Sequence, residues 1–214
     1  MTARTVGNWI VDPRVLHYVS EAGFADIHRL AWSSIDRQLI TALVERWRQE
    51  THSFHLPVGE ATVTLRDVAI LTRLPVHGSV VTGGAIVDPA GLVQNVLGQR
   101  PMGQGDIRGA SVRTTWLRDT FGHLPQDADD VTVQRYARAY LFLLVSGVLC
   151  GSKSGSHLQL QYLPLLAGDW EQIRGYSWGS ACLAILYRNL CKAAQRGVVE
   201  ISGPLFVLQV YKLN

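Results

Sequence analysis

Several strings in this sequence carry residue types that could do chemistry. Gly175-Tyr176-Ser177-Trp178-Gly179 fits G-x-S-x-G, the spacing that exposes a nucleophilic serine on a strand-to-helix turn. A hydrolase built on it needs a buried strand just before, and Trp170 to Arg174 does not read as one. It also needs an acid and a histidine further along. All seven His lie before residue 158, and the only later acid is Glu200. Ser177 therefore reads as a helix cap and Gly179 as a close packing contact. Gly147 to Ser154 resembles a phosphate-binding loop but has Ser152 where that loop needs Gly before Lys153. It also ends a helix instead of joining a strand to one, so nucleotide hydrolysis is set aside. Lys153 keeps a smaller role as an anion contact.

His52 and His55 are three apart in an expected strand, so they point to opposite faces and do not chelate together. Three Cys (Cys150, Cys182, Cys191) lie far apart, with no metal or redox spacing, and read as reduced thiols of an intracellular protein. A pyridoxal enzyme needs a Schiff-base Lys in a cofactor cleft; of three Lys only Lys153 qualifies, and the α/β pattern is missing. No catalytic residue, metal site or cofactor is assigned.

The 20 basic residues are 17 Arg and only three Lys, for a net charge of +3. Arg forks match phosphates and stack on rings. Arg100, Arg108, Arg113 and Arg118 fall between Gln99 and Asp119, with Asp106 and Asp119 the acids there. Arg113 and Trp116 are one helical turn apart, a spacing that suits cation–π stacking. With Arg46, Arg48 and Lys153 these residues form the candidate DNA-contacting set.

The elements that position these residues are mostly helices. Asp12-Pro13 caps a first helix that stops at Gly23, and a second spans Asp26 to Trp32. Ser33, with Asp36 three residues on, is read as a capping box for a third helix, its apolar stripe being Ile35, Leu39, Leu43 and Trp47. Arg46 and Glu50 would pair on that helix. Residues 53–56 and 61–65 around Pro57-Val58-Gly59-Glu60 read as a hairpin. Thr64 and Asp67 start the next helix, and Asp88-Pro89 another, which stops near Gly98. Residues 99–109 form a loop, Ser111 to Phe121 a helix, and about Val131 to Cys150 a long helix. Leu158 to Leu166 reads as a short helix, Ser177 to Arg196 as a strong one, and Leu205 to Leu213 as a final amphipathic segment.

At 214 residues, 47% hydrophobic and 17% charged, the chain is a globular domain able to bury roughly 70% of its unfolded surface. No secretory leader is expected, since residues 1–11 carry no apolar core. The longest apolar run, Ala139 to Cys150, falls short of the ~20 residues of a membrane span, so a soluble protein is expected. The expected fold class is mainly α: an orthogonal multi-helix bundle with one small β-hairpin. Residues 1–214 are expected to form a single domain of two sub-blocks, about 1–98 and 110–214, joined by a variable loop.

Arg46 to Pro57 (RWRQETHSFHLP) resembles the opening signature block of the plant mobile domain family, and Gly59-Glu60, Thr64-Leu65, Asp67-Val68-Ala69, Leu74-Pro75-Val76 and Gly78 continue in step. Tyr162 to Leu166, Tyr176 to Ala181 and Leu186 to Cys191 resemble a second block, and Gly203-Pro204-Leu205 with Leu208-Gln209 a closing one. Gln49 and Ser152 depart from the pattern, which has Pro and an acid there.

The resemblance implies a transposon-related domain, one group of which is similar to maintenance-of-meristems proteins: nuclear, and acting in transposon silencing, gene expression and genome integrity. It implies a phosphatase-like partner, or another plant mobile domain protein. An older family label, aminotransferase-like, has no support in these residues. The first functional expectation is a non-enzymatic nuclear interaction module. Trp47, Phe54, His55, Tyr176, Trp178, Tyr187 and Arg188 are its docking or scaffold residues. Direct DNA binding by the Arg set is the second, and an uncharacterised enzyme the third.

Overall fold

A computed structural model describes residues 9–31, 34–151, 155–195 and 201–212. Local capping chemistry sets most helix starts. Helix α1 (Pro13–Glu21) begins where the Asp12 carboxylate accepts the Arg14 N–H at 2.8 Å. The Arg14 guanidinium also reaches the Pro125 and Gln126 carbonyls, tying this start to a distant loop. Helix α2 (Ala25–Leu30) follows Gly23, whose φ of +85° makes the turn. Helix α3 (Arg37–Glu45) starts three residues later than expected. Its cap is Asp36, which accepts from both Gln38 N and Leu39 N. The expected cap, Ser33, lies outside the described residues, and Ile35 precedes the helix. Lys153 also lies outside them.

Trp47 is not on the α3 stripe. The helix ends at Arg46, and Trp47 enters strand β1 (Trp47–Arg48), because pairing with Phe54 buries it more completely than a helix surface would. Strand β2 (Ser53–Leu56) pairs antiparallel with β1 and with β3 (Gly59–Ala61), so the expected hairpin is a three-stranded sheet. His52 stands before β2 with φ +50°. Helix α4 (Leu65–Thr72) carries the expected reciprocal Thr64–Asp67 capping box. Helix α5 (Pro89–Leu97) runs from the Asp88 cap to Gly98, at φ +79°.

The second half holds a second sheet, which period-based reading missed. Ser111–Arg113 is strand β4, and helix α6 (Thr114–Phe121) begins only after it. Its partner is β5 (His157–Gln159), the start of the segment expected to be helical. The remainder, Leu160–Leu166, is a 3-10 helix. The long helix is α7 (Asp130–Phe142), which widens into π turns over Leu143–Leu149. There the Cys150 N–H donates to the Val145 carbonyl, and the buried Ser146 hydroxyl accepts the Gln159 N–H at 2.6 Å. Helices α8 (Trp170–Arg174), α9 (Trp178–Ala193) and α10 (Phe206–Lys212) complete the described chain.

The fold is thus mainly α with small β elements. Its core is the α7–π stretch, buried almost without break from Ala137 to Leu149. Helices α1, α5 and α6 pack on α7, while α4, α9 and α10 pack mainly with one another and with α3. Elements from both sides of the 99–109 loop share these contacts. Among the described residues no helix is long and apolar enough to cross a membrane.

One polar contact in this core titrates near neutrality. His28 Nδ1 lies 2.7 Å from the Tyr140 hydroxyl, and the Tyr140 ring packs edge-on against Trp9 and His28. Burial, with a smaller contribution from Arg29, holds the His28 pKa below 6.5. Between that lowered value and 6.5 the unfolded chain binds a proton that the folded chain refuses. Stability is therefore present above pH 6.5 and is lost as pH falls through this window. Thermal melts from pH 7 to 5 are expected to fall less steeply for H28Q than for the wild type.

Candidate functional site

The first signature block closes on α9 through an aromatic cluster. Trp47 and Phe54, a cross-strand pair, are 3% and 2% exposed. The Trp47 ring meets Phe54 at 4.9 Å and Tyr187 at 5.3 Å, both edge-on, and its indole N–H points at Cys191 Sγ. Tyr187 donates its hydroxyl proton to the Val63 carbonyl at 2.6 Å and touches the Thr62 hydroxyl. Thr62 in turn donates to the His52 carbonyl, and the exposed His52 ring lies flat on Tyr187, 5° from parallel. The turn between β1 and β2 is thereby locked to the helix.

Arg46 and Glu50 do not pair as expected, because α3 ends before Glu50 and the Arg46 guanidinium donates back to the Ala42 carbonyl. Glu60 is held by the buried Ser53 hydroxyl at 2.8 Å. His55, one residue from Phe54 on the pleat, is exposed.

The second block is a joint. Residues 74–79 cross residues 175–180 through backbone bonds: Ser79 N to Gly175 O, Ser177 N to Ser79 O, and Gly179 N to Pro75 O. Ser177 sits at the N-cap of α9, but its hydroxyl does not cap. It donates to the Ser79 carbonyl, while Ser180 donates to Val76. Gly78 has φ +111°, and a Cβ there would lie 2.1 Å from the Gly175 oxygen. One at Gly179 would lie 2.8 Å from Val76 Cγ1, so the close packing expected of Gly179 is real. Trp178 is fully buried, with its indole N–H on the Ile173 carbonyl, and meets Phe24 and Tyr176 edge-on. The string that resembles a nucleophile elbow thus serves to hold Leu74-Pro75-Val76 and Gly78. Spacing alone did not show that these two stretches meet.

The Arg set divides. Arg113 does not stack on Trp116; it lies in β4, 2.6 Å from the buried Asp106 carboxylate, whose other oxygen accepts the Gly103 N–H. Trp116 faces Phe121. Instead, Arg138 lies over the Trp170 ring, at 4.8 Å, and the sequence did not flag it. Arg100 donates to Gln94. Arg46, Arg48, Arg108 and Arg188 are exposed, and Arg118 is half-buried. Arg48 stands on a sheet packed against α9, whereas Arg113 stands on one packed against the π turns and α6.

Burial pushes the Cys150 thiol up to about 12 and the Cys182 thiol higher still. Tyr162, hydrogen-bonded to Cys150, is raised to about 12 by burial and by that thiol. Neither thiol is activated as a thiolate nucleophile. Among the described residues no group of three or more His, Cys, Asp or Glu could hold a metal.

The family model described as Plant mobile domain matches residues 23–214. A curated relative from Arabidopsis thaliana, named serine/threonine-protein phosphatase 7 long form homolog, is 48% identical over 204 residues, which is 95% of this chain and 15% of that protein. Protein MAIN-LIKE 2 is 38% identical, covering 98% of this chain and 32% of its own length. Protein MAINTENANCE OF MERISTEMS is 35% identical, covering 95% and 42%; both are from the same plant. The chain therefore spans less than half the length of these relatives. No solved structure matches.

The joint's close approach sets a stability test. G78A adds a Cβ into a backbone oxygen at a left-handed φ. It is expected to cost about 3 kcal/mol, lowering Tm by about 6–12 °C. Gly84, with open space around its Cβ position, is the control: G84A should stay within about 0.5 kcal/mol by thermal melting.

Proposed function

The chain belongs to the plant mobile domain family, and on that premise we propose that it is a non-enzymatic nuclear interaction module of transposon origin. It acts in transposon silencing and gene-expression control by docking a phosphatase-like protein or another plant mobile domain protein. The observation that carries this reading is portability. A stretch similar to nearly this whole chain makes up 15% of a protein named as a phosphatase homolog and 42% of one named for meristem maintenance. One domain that recurs in chains of such different length and name fits a module that brings partners together.

The packing supports the same reading. Trp47, Phe54 and Trp178 are spent on the interior, so recognition falls to side chains they hold at the surface: exposed His55 and Arg188, with half-buried Tyr176 and Tyr187 beside them. The immobilised chain is expected to capture a recombinant serine/threonine phosphatase domain with little salt dependence. The double variant H55E/R188E is expected to weaken capture about tenfold, or about 1.4 kcal/mol. No capture overturns the partner; undiminished capture by the variant overturns the surface.

Direct DNA binding is the second reading, and one observation favours it. The carboxylates of Asp12, Asp36, Asp67, Asp88, Asp129 and Asp169 are spent on helix N-termini. Exposed Arg48, Arg108 and Arg188 have no carboxylate partner among the described residues. If these contact phosphates, duplex affinity should fall steeply between about 50 and 300 mM salt. R48E/R108E should then flatten that slope; no duplex binding at low salt removes this reading.

A further inference from the structure

Residues 80–87 (Val-Val-Thr-Gly-Gly-Ala-Ile-Val) lead from the joint to α5. Ser79 makes a parallel β-bridge with Tyr176, so the segment leaves the joint as a strand. No turn or bend interrupts it from 80 to 86. Among the described residues, none of its backbone N–H or C=O groups has a backbone hydrogen-bond partner. Val81 and Ile86 rest on the core, while Val80 is 71% and Val87 96% exposed. Five of the eight residues are β-branched, a composition that favours strands. Residues 78–87 contain no charge and no Pro, the usual devices that blunt an exposed edge. The segment is a strand without a neighbour.

We propose that residues 79–87 pair antiparallel with the same segment of a second copy of this chain, across a two-fold axis. The charge pattern selects that occupant. The uncharged run lets two copies approach without repulsion, and its flanks are exposed His77 at one end and exposed Asp88 at the other. A two-fold axis between Thr82 and Gly83 sets Val80 against Ala85 of the second copy and His77 against its Asp88. Each flank meets its complement, twice per dimer. Parallel alignment would set like against like. Gly83 and Gly84 fall at the axis, where the absence of side chains lets the two backbones approach closely. Asp88 keeps its role at the start of α5, where one oxygen accepts the Gly91 N–H.

The interface rests on the self-docking half of the functional reading and deepens it. The test is sedimentation equilibrium of the whole chain at about 50 µM, a concentration that populates pairing with a Kd of about 10 µM. The wild type is expected to be a dimer. V80K and, separately, A85E are expected to halve the average mass, with Tm unchanged because both positions are exposed. An equimolar mixture of the two variants should return to the dimer mass, since the register sets the new charges against each other. Should V80K fold poorly, T82K serves in its place at another exposed position. A monomeric wild type, or a V80K chain that remains dimeric, overturns the interface; a mixture that stays monomeric overturns the register. Phosphatase capture is a separate assay, so a monomeric chain that still captures phosphatase overturns this interface alone.

Discussion

Two stretches of chain 98 residues apart cross so closely at Gly78 and Gly175 that no Cβ fits between them. The rest of the first half depends on that crossing. It fixes the exit from α4 against the entry to α9, two helices that pack along each other. The far half of α9 then supplies Tyr187 and Cys191, on which the three-stranded sheet closes. A backbone-to-backbone joint of this kind tolerates little side-chain choice, because the atoms in contact are peptide groups. It accounts for a Gly-rich string at each side without any appeal to catalysis.

Local signals were legible in the sequence and nonlocal ones were not. Asp12, Thr64 with Asp67, and Asp88 cap the helices they were expected to cap, because the carboxylate or hydroxyl and the amide it binds lie within three residues. Trp47 fits a helical stripe by spacing, but its strand partner Phe54 lies across a turn, and pairing overrode periodicity. Strand β4 was hidden for the same reason: its partner β5 lies more than forty residues on. Arg113 was assigned to a ring one turn away, yet the buried Asp106 carboxylate offers a stronger, charge-assisted bond. Of the candidate site, residue types were readable. Which of them face solvent was not, because Trp47, Phe54 and Trp178 satisfy their aromatic character inside.

The residues that carry the resemblance to the family are therefore largely those that build the scaffold. A signature of this kind identifies the fold and says little about what the surface meets. Relatives named for a phosphatase and for meristem maintenance can share it while their exposed residues differ. Discriminating positions are then to be sought at exposed sites such as His55, Arg108 and Arg188.

The π turns at Leu143–Leu149 carry a consequence for how this chain can change length. Each π turn holds more residues than an α turn, so the stretch stores extra chain within a continuous helix. Removing one residue there would relax it to ordinary α geometry and rotate all that follows by about 100°. The Ser146 hydroxyl would swing away from the Gln159 amide, and the tightly buried faces of Val148 and Leu149 would turn with it. Single-residue deletions are thus barred from the centre of this domain by rotational phase, whereas the exposed 99–109 loop bears no such phase and can lengthen or shorten freely.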